Sequence, residues 1–532
     1  MKIHPNFSSR NAIGAGDELP RLGLRKALGP LALALILGLM LACGGAPATE
    51  GSGDGEDSSP SPEASLEAQL EDCQLTSPGS PATLDARCGT LEVPENRAVE
   101  NGRILDLYFA VLPAVSRTAE EDAVVFLAGG PGQASTETYL QVSPAIGPLN
   151  HDRPILLMDQ RGTGSSHALE CPGLAMEESL EMPDDDELKA LVQECVEELS
   201  QDADPRQYTT EAAARDLEAL REALGYPQLN LYGVSYGTRL ALAYADLFPQ
   251  RVRTLVLDGV VPHDVALGET LARDAQNALE LIFQRCADDE ACGEAFPDLQ
   301  QKLDGLMASL AEDPRPVRLD HPRTGASVEL TFNEETLAGG LRLLTYAPET
   351  AALVPLLITD AVENDDLRRL AALALTVGDG VGSQISAGLS YSVTCAEDVP
   401  FVDVEASAEA SRGTYLGESF FDSLQEICSV WPYAELPATV RSAVRSDVPS
   451  LLLSGEADPV TPPAFAERTA QTLSNSLTVV APGLGHNVIL RGCLPQQVQA
   501  FIEAGSLEAV DAECVEAIEA APFFLNFSGP RP

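Results

Sequence analysis

The chain has 532 residues, 81 of them acidic against 33 basic, for a formal net charge of −48. Its 45% hydrophobic and 21% charged residues are ordinary for a globular protein, and its length leaves room for more than one structural unit. So acidic a surface repels nucleic acid and anionic lipid headgroups, which excludes DNA and RNA as binding partners.

Residues 1–43 read as a targeting segment. Lys2, Arg10, Arg21, Arg25 and Lys26 precede a short apolar run over 31–41, followed by Ala42, Cys43, Gly44 and Gly45. A run this short, ending in small residues, is a secretory signal and not a spanning helix. A cysteine at its end resembles the bacterial lipoprotein cleavage box, which makes Cys43 the expected lipidation site; plain secretion, with Cys43 incidental, is the alternative. Residues 44–70 are dominated by Gly, Ser, Pro, Glu and Asp and read as a flexible tether.

From there the apolar runs are short and set between turn residues. Segments 89–94 and 104–112 read as an antiparallel strand pair, 123–127 (AVVFL) and 154–158 (PILLM) as buried strands. A helix is expected over 210–224, stopped by Gly225; a strand over 229–232; a helix over 236–247; a strand over 254–257. Runs of four to six apolar residues without alternation suit parallel strands covered on both faces. The alternation lapses over 263–446, where the pattern is mainly helical, as in 335–344 and 367–375. It resumes with strands at 450–453 and 477–480 and helices near 463–472 and 495–503. The expected organisation is therefore 71–262 as the first part of a core, 263–446 as an inserted cap, and 447–532 as the rest of the core.

With Cys43 set aside, ten cysteines remain. They fall as near neighbours: Cys73 and Cys88, Cys171 and Cys195, Cys286 and Cys292, Cys395 and Cys428, Cys493 and Cys514. Five disulfides between those neighbours are expected in an oxidising compartment, although spacing alone does not fix connectivity. No cysteine or histidine cluster has zinc spacing.

Gly233-Val234-Ser235-Tyr236-Gly237 lies between an apolar strand and a helix. In that context the glycines permit a turn sharp enough to expose a serine nucleophile above the sheet. A serine hydroxyl needs a base to take its proton. Of the histidines that follow, His263 lies just past a strand and His321 inside the insertion. His486 occupies a glycine-bearing loop after the last strand, where the base belongs. Asp458, before Pro459 in the loop after strand 450–453, is the expected orienting carboxylate, with Glu456 its competitor. The oxyanion of an acyl transfer needs N–H donors; Tyr236, next after the serine, and Gly130, in Gly129-Gly130-Pro131-Gly132, are the candidates.

Together with Asp159-Gln160-Arg161-Gly162-Thr163-Gly164-Ser165, Asp458-Pro459-Val460-Thr461-Pro462, Gly485-His486, and Cys395 with Cys428-Ser429-Val430-Trp431-Pro432, these motifs make the chain resemble the prolyl and tripeptidyl aminopeptidase group of α/β-hydrolases over about 85–515. Ala128 departs from the histidine often found before the glycines. The resemblance implies an α/β fold with a mostly parallel eight-stranded sheet and a mainly helical cap inserted before the strand that carries the catalytic acid. It implies a serine exopeptidase acting on peptides with free N-termini, with Glu397 and Asp398 as candidate holders of the substrate's amino group. An esterase on the same scaffold is the alternative, and a non-catalytic surface binding lipoprotein is a third reading. No metal or organic cofactor is implied. The membrane is reached only through a lipid anchor, and the protein is expected to be exported, in the cell envelope or secreted.

Overall fold

The computed structural model describes residues 69–174 and 183–529. The signal segment, Cys43 and nearly all of the 44–70 tether lie outside the described residues. The strands are β1 (Glu71–Thr76), β2 (Thr83–Pro94), β3 (Ile104–Leu112), β4 (Ala123–Leu127), β5 (Ile155–Met158), β6 (Leu229–Val234), β7 (Val252–Asp258), β8 (Arg315–Asp320), β9 (Ser327–Phe332), β10 (Ser450–Gly455) and β11 (Ser476–Ala481).

Nine of them form one sheet in the order β1-β2-β3-β5-β4-β6-β7-β10-β11. The first four neighbours pair antiparallel and the pairs from β5 onward are parallel. The expected count of eight is thus corrected to nine. The additional strand is β1, a polar edge segment in which only Leu75 is buried, so it carries no apolar run to read. By contrast, every residue of β4, β5, β6 and β10 is buried. Helices cover both faces of these central strands, as a parallel sheet requires. Each fully buried Val, Leu, Ile or Phe contributes roughly 1.5–3 kcal/mol, so this centre is the most strongly held part of the scaffold.

Strand β7 ends at Asp258 and β10 begins at Ser450. The chain between them adds helices and a hairpin, β8 with β9, around a second apolar cluster that includes Leu279, Ile282, Leu303, Phe332, Leu341 and Ile358. The hairpin was not anticipated: Pro316 and the alternating charges of its strands break any continuous apolar signal. Because β10 then returns beside β7, the insertion rises from the carboxyl edge of the sheet, where the loops after β4, β6, β7, β10 and β11 also gather. In open α/β sheets, ligands bind at that edge.

Candidate active site

Strand β6 runs to Val234, and the Tyr236–Leu247 helix starts at once. Ser235 between them has φ 55° and ψ −123°, a left-handed backbone that L-residues avoid. Two contacts enforce the turn. The Ser235 amide donates to the Asp258 carbonyl at 2.9 Å. A Cβ on Gly237 would run into the Leu127 and Ala128 carbonyls at the end of β4. Glycine at 237 is therefore what lets the helix press against the glycine loop after β4. That loop reaches the serine itself, since a Cβ on Gly129 would stand 3.1 Å from the Ser235 Cβ. Gly130 follows Gly129 in that loop, and Tyr236 follows Ser235, among the first helical amides, which have no acceptor within the helix.

From the other side comes the loop after β11. His486 Nδ1 donates to Asp458 Oδ2 at 2.7 Å, both side chains buried. The carboxylate is itself fixed: Oδ1 accepts from the Val460 and Thr461 amides at 2.9 and 2.8 Å, and Oδ2 from the Thr461 hydroxyl at 2.8 Å. A carboxylate can only accept, so Nδ1 carries its proton and Nε2 is left as the free base. Gly259 marks where the two halves meet. A Cβ there would lie 3.0 Å from His486 Cε1, one residue past the carbonyl that holds Ser235. Burial works to lower the His486 pKa, but the Asp458 charge and hydrogen bond, with the charge of Asp258, outweigh it and hold the imidazole above its usual value.

The competing residues are placed elsewhere. Glu456 accepts from the Gly483 amide at 2.8 Å and ties the neighbouring turn. His321 pairs with Asp379 inside the insertion at 3.1 Å. Burial, reinforced by Arg239 and Arg441, pushes His263 down to about 4, so it stays neutral.

Glu397 and Asp398 depart from expectation. Asp398 is bound by both terminal nitrogens of Arg239 at 3.0 and 2.9 Å and by the Leu267 amide at 2.7 Å. Glu397 accepts from the Thr210 amide and hydroxyl at 2.7 and 2.6 Å. Both are buried and spent on protein donors, so neither is presented to a substrate ammonium. They instead tie the end of the Ala387–Glu397 helix to the scaffold behind the serine: Arg239 stands on the helix that follows Ser235, and the Thr210 hydroxyl meets the Tyr236 phenol at 2.9 Å.

The Asp-Gln-Arg-Gly stretch also serves the framework. Asp159 accepts from the amide and hydroxyl of Thr136, both at 2.9 Å, at the start of the helix after the glycine loop, and Arg161 is buried in a paired contact with Asp216 at 2.6 and 2.8 Å. Asp258 was missed by sequence reading. Its carboxylate accepts from the amides of Val488 and Ile489 at 2.9 and 3.1 Å, so it holds the histidine loop while its carbonyl holds Ser235. Burial raises its pKa to about 6. Its place at the end of an apolar strand was the one available signal. Tyr346 was invisible in sequence; its carbonyl accepts from the His486 amide at 2.8 Å and its ring meets the imidazole edge-on at 5.5 Å.

All ten cysteines beyond Cys43 are joined in the five neighbouring pairs expected. These bridges are compatible with export. Among the described residues, no group of His, Cys, Asp and Glu is arranged to hold a metal, and no helix is long and apolar enough to cross a membrane.

A strand–serine–helix turn and a histidine–carboxylate pair, both in loops at the carboxyl edge of this sheet, define the class: an α/β-hydrolase. Residues 122–306 match the family described as "alpha/beta hydrolase fold", and residues 414–514 the one described as "TAP-like protein". The chain is 27% identical over 474 residues to serine protease Hip1 of Mycobacterium tuberculosis, covering 83% of this chain and 90% of that protein. It is 30% identical over 261 residues to a proline iminopeptidase of Lactobacillus acidophilus, covering 47% and 77%. Against a tripeptidyl aminopeptidase of Streptomyces lividans the identity is 31% over 192 residues, covering 33% and 35%. The chain belongs to the α/β-hydrolase family, in the prolyl and tripeptidyl aminopeptidase group, and is a serine hydrolase of peptidase type.

Proposed function

We propose that the protein is an exported serine exopeptidase that cleaves near the free N-termini of peptides through an acyl-enzyme. The observation that carries this is the buried 2.7 Å contact of Asp458 with His486, which leaves Nε2 unprotonated, in a chain that holds Ser235 in its strained turn at the same edge of the sheet. In this reading His486 Nε2 takes the hydroxyl proton as Ser235 Oγ attacks the scissile carbonyl. The amides of Tyr236 and Gly130 donate to the oxyanion. The proton then passes to the departing amine, whose C–N bond breaks as the Ser235 ester forms. Water, activated by the same histidine, hydrolyses that ester and returns the serine. Asp458 steadies the imidazolium throughout. The names of the relatives support peptides as substrates, and the basic leader with Cys43 supports a lipid anchor in the cell envelope, the 44–70 segment serving as its tether.

The test is a substrate panel on the mature protein: aminoacyl and tripeptidyl chromogenic amides, their N-blocked forms, and short-chain esters, with fluorophosphonate labelling of Ser235. Turnover of free-amine amides, lost on N-blocking and in Ser235→Ala, is the expected result. Hydrolysis of esters without any free-amine amide would make the chain an esterase and overturn the proposal. Failure of Ser235 to label would point to a binding module.

A further inference from the structure

The wall of the site beside His486 carries a cation that the mechanism does not use. Arg342 lies in the last turn of the Glu334–Leu344 helix, and its guanidinium is stacked over two rings, Tyr346 at 5.5 Å and Phe420 at 5.2 Å. Tyr346 is the residue whose carbonyl and ring hold His486. Phe420 is 40% exposed, so the stack opens to solvent at its outer end.

Arg342 is also unpaired. Its Nε is buried with no acceptor, and among the described residues no carboxylate forms an ion pair with it. That is unusual in a chain with 81 acidic residues. Arginines at the surface find carboxylates readily here: Arg318 pairs with Glu329, Arg368 with Asp366, Arg491 with Glu349. A guanidinium offers five N–H donors, and leaving them without an acceptor in a partly desolvated place is costly unless a ligand supplies one. Stacking between two rings holds the planar group in orientation while leaving its edge free for a bidentate acceptor.

The chemistry fixes which part of a substrate would reach it. The histidine that hands its proton to the leaving group has the departing fragment on its own side, away from the oxyanion donors. Tyr346 packs on that histidine, and Arg342 stacks on Tyr346. We propose that Arg342 is a specificity residue that receives a carboxylate borne by the departing fragment. The C-terminal carboxylate of a short peptide, or an Asp or Glu side chain just beyond the scissile bond, has the required chemistry. This rests on the reading of Ser235 and His486 as nucleophile and base, but not on the substrate being a peptide. Positive charge at this point would favour short free peptides and acidic sequences over amidated or neutral ones.

The test compares matched substrates in the wild-type chain, Arg342→Lys and Arg342→Gln. One peptide pair differs only in ending as a free acid or an amide, and a second only in Asp or Asn directly after the cleaved bond. An ester pair has the same acyl group on phenol or on 4-hydroxybenzoate. The ratio of kcat/KM within each pair is the readout, because loss of folded enzyme lowers both members equally. Wild type is expected to favour the carboxylate by about tenfold or more, as for a charge-assisted hydrogen bond. Arg342→Gln should bring the ratio close to one, and Arg342→Lys should leave an intermediate value. The two peptide pairs tell which carboxylate is read. A wild-type ratio near one in every pair, or a ratio unchanged in Arg342→Gln, overturns the inference. If peptides are inert and esters are cleaved, the exopeptidase reading fails alone and the ester ratio decides this one. Inertness to all three pairs sinks both.

Discussion

Ser235 occupies a backbone that costs an L-residue of order 1–3 kcal/mol, and the surrounding contacts leave it no other. Ser235→Gly and Ser235→Ala should both abolish turnover, but their stabilities should differ. Glycine relieves the strain, so Ser235→Gly is expected to unfold at higher urea than Ser235→Ala, by about 1 kcal/mol; equal midpoints would mean that the turn is relaxed. His486 sets the pH response. Activity needs the neutral imidazole, and the raised pKa places the acid limb of kcat/KM above about pH 6.5. Stability runs the opposite way. The folded state favours the imidazolium, so this contribution is full below the unfolded value and is lost as pH rises through the folded one. Asp458→Asn should move the acid limb downward and lower kcat by about 10⁴, both read from a pH–rate profile. An unmoved limb would put the controlling charge elsewhere, with Asp258 the next carboxylate to test. Ser235, Asp458 and His486 were legible because turn chemistry and chain order constrain them. Asp258, Tyr346 and Arg342 were not, since each is brought to the imidazole only by packing between distant segments.

The insertion is fastened to the core at the level of whole elements. The Ala387–Glu397 helix is bridged through Cys395 to Cys428 on the Ser419–Val430 helix, and it presents Glu397 and Asp398 to Thr210 and Arg239. Arg239 lies one turn into the helix that Ser235 opens. Cutting the Asp398–Arg239 pair from one side leaves a buried guanidinium without its partner, a loss of about 3–5 kcal/mol. Asp398→Ala should therefore lower the unfolding midpoint sharply. A substrate-binding carboxylate would behave differently, raising KM with melting unchanged. The two measurements together separate the roles. The elements themselves were read with unequal success, for physical reasons. The Thr210–Leu224 helix has helical apolar spacing and ends at Gly225, which takes the left-handed conformation with φ 78°. Strand β4 is a continuous apolar run because helices cover both its faces, and β6 is buried throughout as well, its Asn230 side chain bonded to Asp122. Strand β1 and the β8–β9 hairpin bury few side chains each, so their identity comes from hydrogen-bonded partners and not from their own composition.

At the scale of the whole molecule, two features act against each other. A net charge of −48 repels itself and favours expansion of the chain. Five disulfides restrain the unfolded state, closing sequence separations of 15, 24, 6, 33 and 21 residues. In the loop-entropy account a bridge of about 15 residues contributes roughly 3 kcal/mol and longer loops slightly more. The Cys395–Cys428 bridge should therefore matter more than Cys286–Cys292, a ranking that paired serine replacements followed by denaturant unfolding would check. Salt addresses the other term. Raising ionic strength from about 0.01 to 1 M shortens the screening length from about 30 to 3 Å and weakens repulsion among exposed carboxylates. Thermal stability should rise over that range, and it should rise further in the reduced protein, where self-repulsion meets less covalent restraint. Selectivity for a carboxylate at Arg342 should fall over the same range, because an attraction at a partly solvated site is screened as well. Opposite salt trends in melting temperature and in the acid-to-amide ratio of kcat/KM would tie both to charge. A ratio that held constant while stability climbed would show that Arg342 selects by shape and stacking alone.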